Sequence, residues 1–422
     1  EMNKDIPYPI LWITPGAKMS MNKVLISSIK PIWVNGWATF NKHSAYGTGK
    51  KLDMIWDSRS SSSNPIGEYN PDISYGYYSA VKFPEGNGID FDETIGALSL
   101  LGNAFDLTFG KLRSSLGPSM YSNLSLSNTF PAFNQLRIHY NYEDKIYFTF
   151  IAGDLFSGIK DSSISIYESD DMNGDGDPDF SRLPFLQRRV YNHRLDFNLL
   201  PNFRLGFYEQ VIAMHDGSFS YLNPFSFYWS EQHQSGDLDN LQMGFDFDWI
   251  IGSNRLYGGV LIDEWAPYDT FNSGARNWFA TQLGFSKLIK ISNKYLNKLL
   301  FKFEYSSAEP QVYIHKFEIN NPEHHGYPIG LWSGGDSIDR RLNLILFIKS
   351  ALVNMGWNNT RIGEAIYDEN QSLLSSLYDC FDENVYDDYN IKIRDVLFLE
   401  IKKDITDLNN NDTNIDFSFK IS

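Results

Sequence analysis

Apolar and polar residues alternate with a period of two over much of the chain, the pattern of strands whose two faces meet different surroundings. From Met243 to Ile251 the odd positions Met243, Phe245, Phe247, Trp249 and Ile251 are all apolar, whereas Gly244, Asp246 and Asp248 lie between them. Leu299, Phe301, Phe303 and Tyr305 repeat the pattern around Lys302 and Glu304, and Phe203, Leu205 and Phe207 repeat it around Arg204. Near the end, Ile415, Phe417, Phe419 and Ile421 alternate with Asp416, Ser418 and Lys420. Candidate strands fall near 97–113, 134–141, 145–154, 190–199, 203–214, 240–251, 255–263, 276–289, 298–306, 342–354, 390–401 and 413–421, with more before residue 85.

Two architectures produce such strands. A soluble sandwich turns its apolar faces to a core and its polar faces to water. A membrane barrel does the reverse, with large apolar side chains toward lipid and charged ones toward a wet lumen. The dense aromatics and the charges in mid-strand favour the second. The expectation is an all-β chain, a transmembrane antiparallel β-barrel of about 16–18 strands with long extracellular loops. It is read as one domain over residues 1–422. Short polar turns such as Pro201-Asn202 and Gly252-Ser253-Asn254 are expected on the periplasmic side, and long connections near 57–75, 157–189, 216–239, 264–275 and 308–341 outside. Residues 359–380, with Ile362, Ile366, Leu373, Leu374 and Leu377 among polar neighbours, read as a short helical insertion.

Composition supports this picture. The 422 residues are 42% hydrophobic and 16% aromatic, with a negative mean hydropathy. The apolar run from Leu342 to Ile348 is broken by Asn343 and followed by Lys349, far short of the ~20 residues a spanning helix needs. A net charge of −16 argues against nucleic acid as a partner, because phosphate contacts need a basic surface. The lone Cys380 cannot close an internal disulfide. The start of the chain has neither the charged nor the apolar region of an export signal, so such a signal is either removed or was never there.

The sharpest local chemistry is the run Asp171, Asn173, Asp175, Asp177 and Asp179 with Gly176 at the sixth place. Oxygen ligands at alternate positions around a glycine turn suit a structural Ca²⁺ site in the connection 157–189. Arg182 stands where an EF-hand would carry its twelfth-position acid. His324 and His325, near His315, lack metal-ligand spacing and read as loop hydrogen bonding or stacking. Asp263 with Glu264 and Asp336 with Asp339 could be paired acids, but among 52 acidic residues any such pair is better read as lumen or loop charge. No Gly-x-Ser-x-Gly, phosphate-binding loop or zinc-protease helix occurs in the sequence. Trp229, Trp265, Tyr268 and Trp332 could stack on sugar rings, with Asp336 as a polar partner, or serve in an interfacial aromatic girdle.

Several blocks taken in order give a resemblance. Gly110 to Pro118, then Leu124 to Pro131 with Asn128, form the first block; Tyr191, Asn192, His193 and Arg194 follow, then Leu205 to Glu209, then Tyr221 to Phe225 with Asn223. Leu256-Tyr257-Gly258 leading to Asp263, and Tyr313 to His315 with His324, His325 and Gly334 to Ser337, complete the series. In this order the chain resembles the Wzi family of outer-membrane capsule-assembly proteins. The resemblance implies an outer-membrane barrel that holds or organises surface polysaccharide without catalysis, and it points to Gly117, Pro118, Asn128, His193, Glu209, Asn223, Asp263 and His325. Ser119 departs from the family's second glycine, and no N-terminal helical plug is visible. The expected partners are surface polysaccharide and outer-membrane lipid. A solute channel and a glycan-active enzyme are the alternatives.

Overall fold

The computed structural model describes residues 11–13, 16–26, 32–46, 81–82, 88–161, 166–168, 180–182, 185–214, 220–236, 238–270, 276–291, 293, 295–348, 351–364, 366–367, 373–375, 391–406 and 412–421. Among them one antiparallel sheet holds 18 strands, of which Leu11–Ile13 and Val81–Lys82 are short fragments. The long strands are Gly16–Ile26, Ile32–Tyr46, Gly88–Leu101, Phe105–Leu112, Phe133–Tyr142, Ile146–Lys160, Phe185–Leu200 and Phe203–Met214. They continue with Asn240–Ile251, Asn254–Glu264, Trp278–Lys290, Leu296–Ala308, Ser337–Ile348, Ala351–Gly363, Ile391–Thr406 and Asp412–Ile421. Each pairs with the next in order, a continuous meander.

Tight connections join the strands at one end. Pro201-Asn202 and Gly252-Ser253 turn the chain there, and Glu143 and Asp144 do so with φ of 50° and 55°. The long connections leave from the other end.

The two faces of the sheet are inverted relative to a soluble protein. On one face Phe207 lies opposite Phe245 and Phe245 opposite Val260. Phe109, Leu195, Phe207, Phe245, Leu283 and Leu397 on this face are exposed. On the other face Arg194, Gln210, Gln242, Asp246, Glu304 and Arg341 are buried.

What buries the polar face are two connections, residues 113–132 and 309–336, that fold back over it. They join each other through Ser127 N–H donating to the Ile329 carbonyl at 2.7 Å, while Leu116 and Leu126 form a bridge inside the first. Side chains or rings from Phe133–Tyr142 (Gln135 with Ser114), Leu296–Ala308 (Glu304 with Ser119), Ser337–Ile348 (Asn343 with Tyr121) and Ile391–Thr406 (Arg394 with Trp332) all reach these segments. Strands so far apart in the meander can share one small insert only if the sheet curls around it. The result is a β-barrel wall with a filled interior. The alternation pattern places 308–341 outside the barrel; the structure folds most of it inward, where Leu126, Phe130, Phe133, Ile151, Leu155, Val190, Ile212 and Ile329 form an apolar cluster.

The insert and wall fit closely because small residues on the inner wall let long side chains lie flat. The Arg194 guanidinium crosses Gly206 to reach Asp246, and the Tyr257 ring crosses Gly284 to reach Glu304. A Cβ at position 284 would stand 1.9 Å from the Tyr257 ring. Gly284→Ala is therefore expected to destabilise by about 1–3 kcal/mol through overpacking, seen as an earlier denaturation midpoint in detergent.

The expected helical insertion at 359–380 is corrected. Ala351–Gly363 is strand, and Ile366–Tyr367 pairs with Leu373–Ser375 as a small hairpin. Thr360 and Ile362 continue the alternation of the preceding strand, and the ladder to Ile391–Thr406 outweighs the local helical spacing.

Candidate functional site

The strongest candidate is the seam between the barrel wall and its two in-folded segments. In the first segment, Gly117 takes φ of 132°, a conformation that disfavours any side chain, and so turns the chain inward. Asn123 then braces the tip, its Oδ1 accepting from Ser119 N–H at 2.9 Å and its Nδ2 donating to Ser115 at 2.7 Å. Ser119 donates to Glu304 Oε2 at 2.8 Å, and Met120 N–H donates to the same oxygen at 3.1 Å. Arg255 Nη2 donates to the Pro118 carbonyl at 2.7 Å, and Gln282 Nε2 to the Ser122 carbonyl at 2.7 Å.

The second segment is anchored at three places. Tyr313 N–H donates to Asp263 at 2.8 Å, and the Tyr313 hydroxyl donates to the Leu124 carbonyl at 2.6 Å, tying the two segments together. Arg188 donates to the Asn321 carbonyl at 2.5 Å, to the Ser157 carbonyl at 2.9 Å and to Glu323 Oε1 at 3.0 Å. His324 Nδ1 accepts from Phe156 N–H at 2.9 Å, which places its proton on Nε2, toward the Ala132 carbonyl. One neutral imidazole thus joins the wall and both segments.

Burial holds His324 well below the ordinary imidazole range, with His325, Arg188 and Lys111 adding to the effect. Burial, with Lys111 and Arg188, pushes His325 from 6.5 down to about 3. Both are neutral when docked. An undocked segment takes up protons near 6.5, so docking is fully favourable above that pH and weakens as pH falls toward about 3. Protonation would also remove the acceptor that holds Phe156 N–H. Hydrogen exchange across 320–332 is expected to speed up as pH is lowered from 7 to about 4, after correction for the intrinsic rate. His324→Gln, which can accept the same bond without titrating, should reduce that response to the part that His325 contributes.

Across the inner wall lies a layer of matched charges and amides. Arg194 donates to Asp246 through Nη1 and Nη2, each at 2.6 Å, and to Asp196 at 2.6 and 2.9 Å. Gln210 donates to Gln242 at 2.9 Å, and Gln242 to Asp263 at 3.1 Å. Arg341 pairs with Asp339 at 2.7 Å, and Arg255 with Asp248 at 2.8 Å. The wall presents both signs in nearly balanced pairs.

The residues singled out in the sequence fall in three places. Gly117, Pro118, Asp263 and His325 belong to the seam, and Asn128 is exposed on the first segment. His193, Glu209 and Asn223 lie on the opposite, outward face or on the connection covering it. Trp265 and Tyr268 are exposed at the long-connection end, and Trp229 is exposed on the outer side. Trp332 and Asp336 are not surface groups: Trp332 is 2% exposed, donates Nε1–H to Asp339 at 3.1 Å and lies against Arg341 and Arg394. Its ring is occupied by cations within the seam and cannot stack on a sugar there.

The expectation of calcium is also corrected. Asp171, Asn173, Asp175, Asp177 and Asp179 lie outside the described residues, and among the described residues no group of three or more His, Cys, Asp or Glu side chains converges on a metal position. Arg182, at the twelfth place, pairs with Ile166 in a two-stranded hairpin. A strand residue with a cationic side chain cannot supply the bidentate carboxylate that completes such a loop.

Arg188 and Glu304 are the anchors that sequence reasoning missed as functional. Glu304 was visible only as a polar-face residue, and its partner Ser119 only as a departure from a glycine. Neither carries a local signal of the contact between them, which spans 185 positions.

No protein-family model matches the chain, and no curated protein matches it. Among solved structures it is similar to Wzi of Escherichia coli, described as an outer-membrane, carbohydrate-binding β-barrel involved in group 1 capsule assembly. That similarity has 10% identity and a TM-score of 0.46, covering 96% of this chain and 82% of the other. OccK7 (OpdD) of Pseudomonas aeruginosa has 10% identity and a TM-score of 0.44, covering 95% of this chain and 85% of that one. OccAB4 of Acinetobacter baumannii has 10% identity and a TM-score of 0.40, covering 97% and 91%. The chain is thus similar to Wzi and Occ barrels without being specifically either, and at these values the likeness assigns it no family or role.

Proposed function

We propose that the chain is a barrel of the bacterial outer membrane that forms a gated pathway for small polar solutes, closed in this state by its two in-folded segments. The outer wall of exposed Phe, Leu and Trp suits lipid, and a meander with satisfied main-chain bonds is a form in which strands can cross it. The observation that carries the gating is the way the segments are held. Their bonds to the wall run mostly through side chains such as Arg188, Gln210, Gln282 and Glu304, so the insert can leave while the main-chain ladder stays intact. Balanced pairs along the wall favour neutral or zwitterionic polar solutes over ions of one sign. The carboxylates Asp263, Asp339 and Glu304 are engaged in holding the insert, and no catalytic role is assigned to them.

Planar-bilayer recording tests this reading. The wild type is expected to be mostly closed with brief, small openings, and variants that loosen the insert to conduct in long steps. Silence from both, with the barrel still folded by its heat-dependent gel mobility, would sink the pathway.

A second reading, binding of surface polysaccharide without catalysis, is favoured by Trp265 and Tyr268, which stand exposed on one connection at the long-connection end. Aromatic faces there are free to stack on sugar rings. Retention on immobilised polysaccharide that Trp265→Ala with Tyr268→Ala abolishes would support it; retention unchanged by both would remove these residues from the role.

A further inference from the structure

The outward face of the wall carries a polar pair where lipid would be expected. His193 Nε2 and Glu209 Oε2 are 2.8 Å apart on neighbouring strands, with the residues of the outer face around them. The same strands turn Val190 and Ile212 inward to the apolar cluster of the insert, so His193 and Glu209 are on the opposite side.

Residues 220–236 cover this pair. Tyr228 N–H donates to Glu209 at 3.0 Å, the Tyr228 ring stacks on His193 at 4.2 Å, and the Pro224 carbonyl meets His193 Nδ1 at 3.2 Å. Tyr221 and Tyr228 pack with Phe150, Tyr191, Val211 and Leu241 of the outer wall. The side of this flap that faces away from the barrel is aromatic: Phe225 is 83% exposed, Phe227 59% and Trp229 49%.

The register fixes its level. Phe225 stacks on Phe148 at 5.6 Å, and Phe148 is paired with Leu195 and Tyr140 of the apolar band. On the same face, six residues further toward the long-connection end, Arg189 pairs with Asp154 at 2.7 Å, a group that belongs in water. The flap therefore lies between the apolar band and the first exposed ion pair.

We propose that this flap is a lipid contact: Phe225, Phe227 and Trp229 insert at the boundary between headgroups and acyl chains of the outer leaflet, while Tyr228 keeps the His193–Glu209 pair out of lipid. A bare ionisable pair on a lipid-facing wall is costly, and its cover must itself present an apolar edge at that depth. Trp and other amphipathic rings are favoured at the membrane interface. Three large aromatics side by side in water would otherwise form an exposed apolar patch continuous with the lipid-facing band. The inference rests on the membrane reading of the barrel, and it takes Trp229 away from sugar stacking.

The test is spin-label accessibility in the full chain reconstituted in phospholipid nanodiscs, with Cys380→Ala as background. Labels are placed at Phe227→Cys, at Phe245→Cys on the band and at Tyr268→Cys at the exposed end. The expected result is an oxygen accessibility greater than that to a nickel chelate at 227, as at 245, with the reverse at 268. Nickel accessibility at 227 equal to that at 268, with 245 in lipid, overturns the flap proposal alone. Nickel access at 245 as well overturns the membrane reading and the flap with it. The unlabelled protein gives a second measurement: lipids brominated high on the acyl chain should quench a fluorescence component that Trp229→Phe removes, and equal quenching in both proteins would overturn the proposal.

Discussion

Arg188→Ala is expected to release residues 309–336 from the wall and to convert brief openings into long-lived conductance. The guanidinium is fully buried and ties Phe185–Leu200 to the Ser157 carbonyl of the neighbouring strand and to Asn321 and Glu323 of the insert. Truncation leaves a carboxylate and two carbonyls in a low-dielectric seam without their donor, a loss of about 3–5 kcal/mol for breaking a buried pair. That corresponds to a rise of about a hundredfold or more in the undocked population. Limited proteolysis within 309–336 should accelerate accordingly, whereas the heat-dependent gel shift of the barrel should persist because its main-chain ladder is untouched. Unchanged conductance and proteolysis would show that Tyr313 and His324 hold the segment without Arg188.

Glu304→Leu should have a comparable effect on the first segment. Its carboxylate accepts from Ser119, Met120 N–H and the Tyr257 hydroxyl, and Gln282 Nε2 lies 3.3 Å away. Leucine has similar bulk and no acceptor, so three donors are left buried and unmet, at about 1–3 kcal/mol each before relaxation. Amide exchange at 119–122 is expected to rise by about a hundredfold. Glu304→Gln keeps one acceptor oxygen and should lose less. Equal exchange in the wild type and Glu304→Leu would mean that Asn123 and Gly117 shape the tip without help from the wall.

The wall was legible because its signal is local. Met243 to Ile251, Phe203 to Phe207 and Leu299 to Tyr305 alternate residue by residue, and the strand period of two converts that directly into an apolar and a polar face. Turn chemistry at Pro201-Asn202 and Gly252-Ser253 was equally readable, because each turn is set by its own few residues. The region 359–380 misled for the converse reason: its helical spacing is local too, but the strand ladder at Ala351–Gly363 prevails over it.

The blocks that suggested a resemblance, Gly117-Pro118, Asp263 and His324-His325, mark the seam, yet nothing in their sequence says whether such a segment points to water or into the barrel. Polar side chains and carbonyls can be satisfied by solvent as well as by Arg188, Glu304 or Gln210. The same holds outside, where nothing in the residues around His193 and Glu209 reveals the Tyr228 flap above them. The sequence by itself determined an antiparallel wall with one apolar and one charged face, since pleat and period are properties of neighbouring residues. Only the tertiary structure decided that the charged face is filled, by which segments and through which anchors, because those contacts join residues far apart in the chain and depend on the curvature that brings distant strands around a common interior.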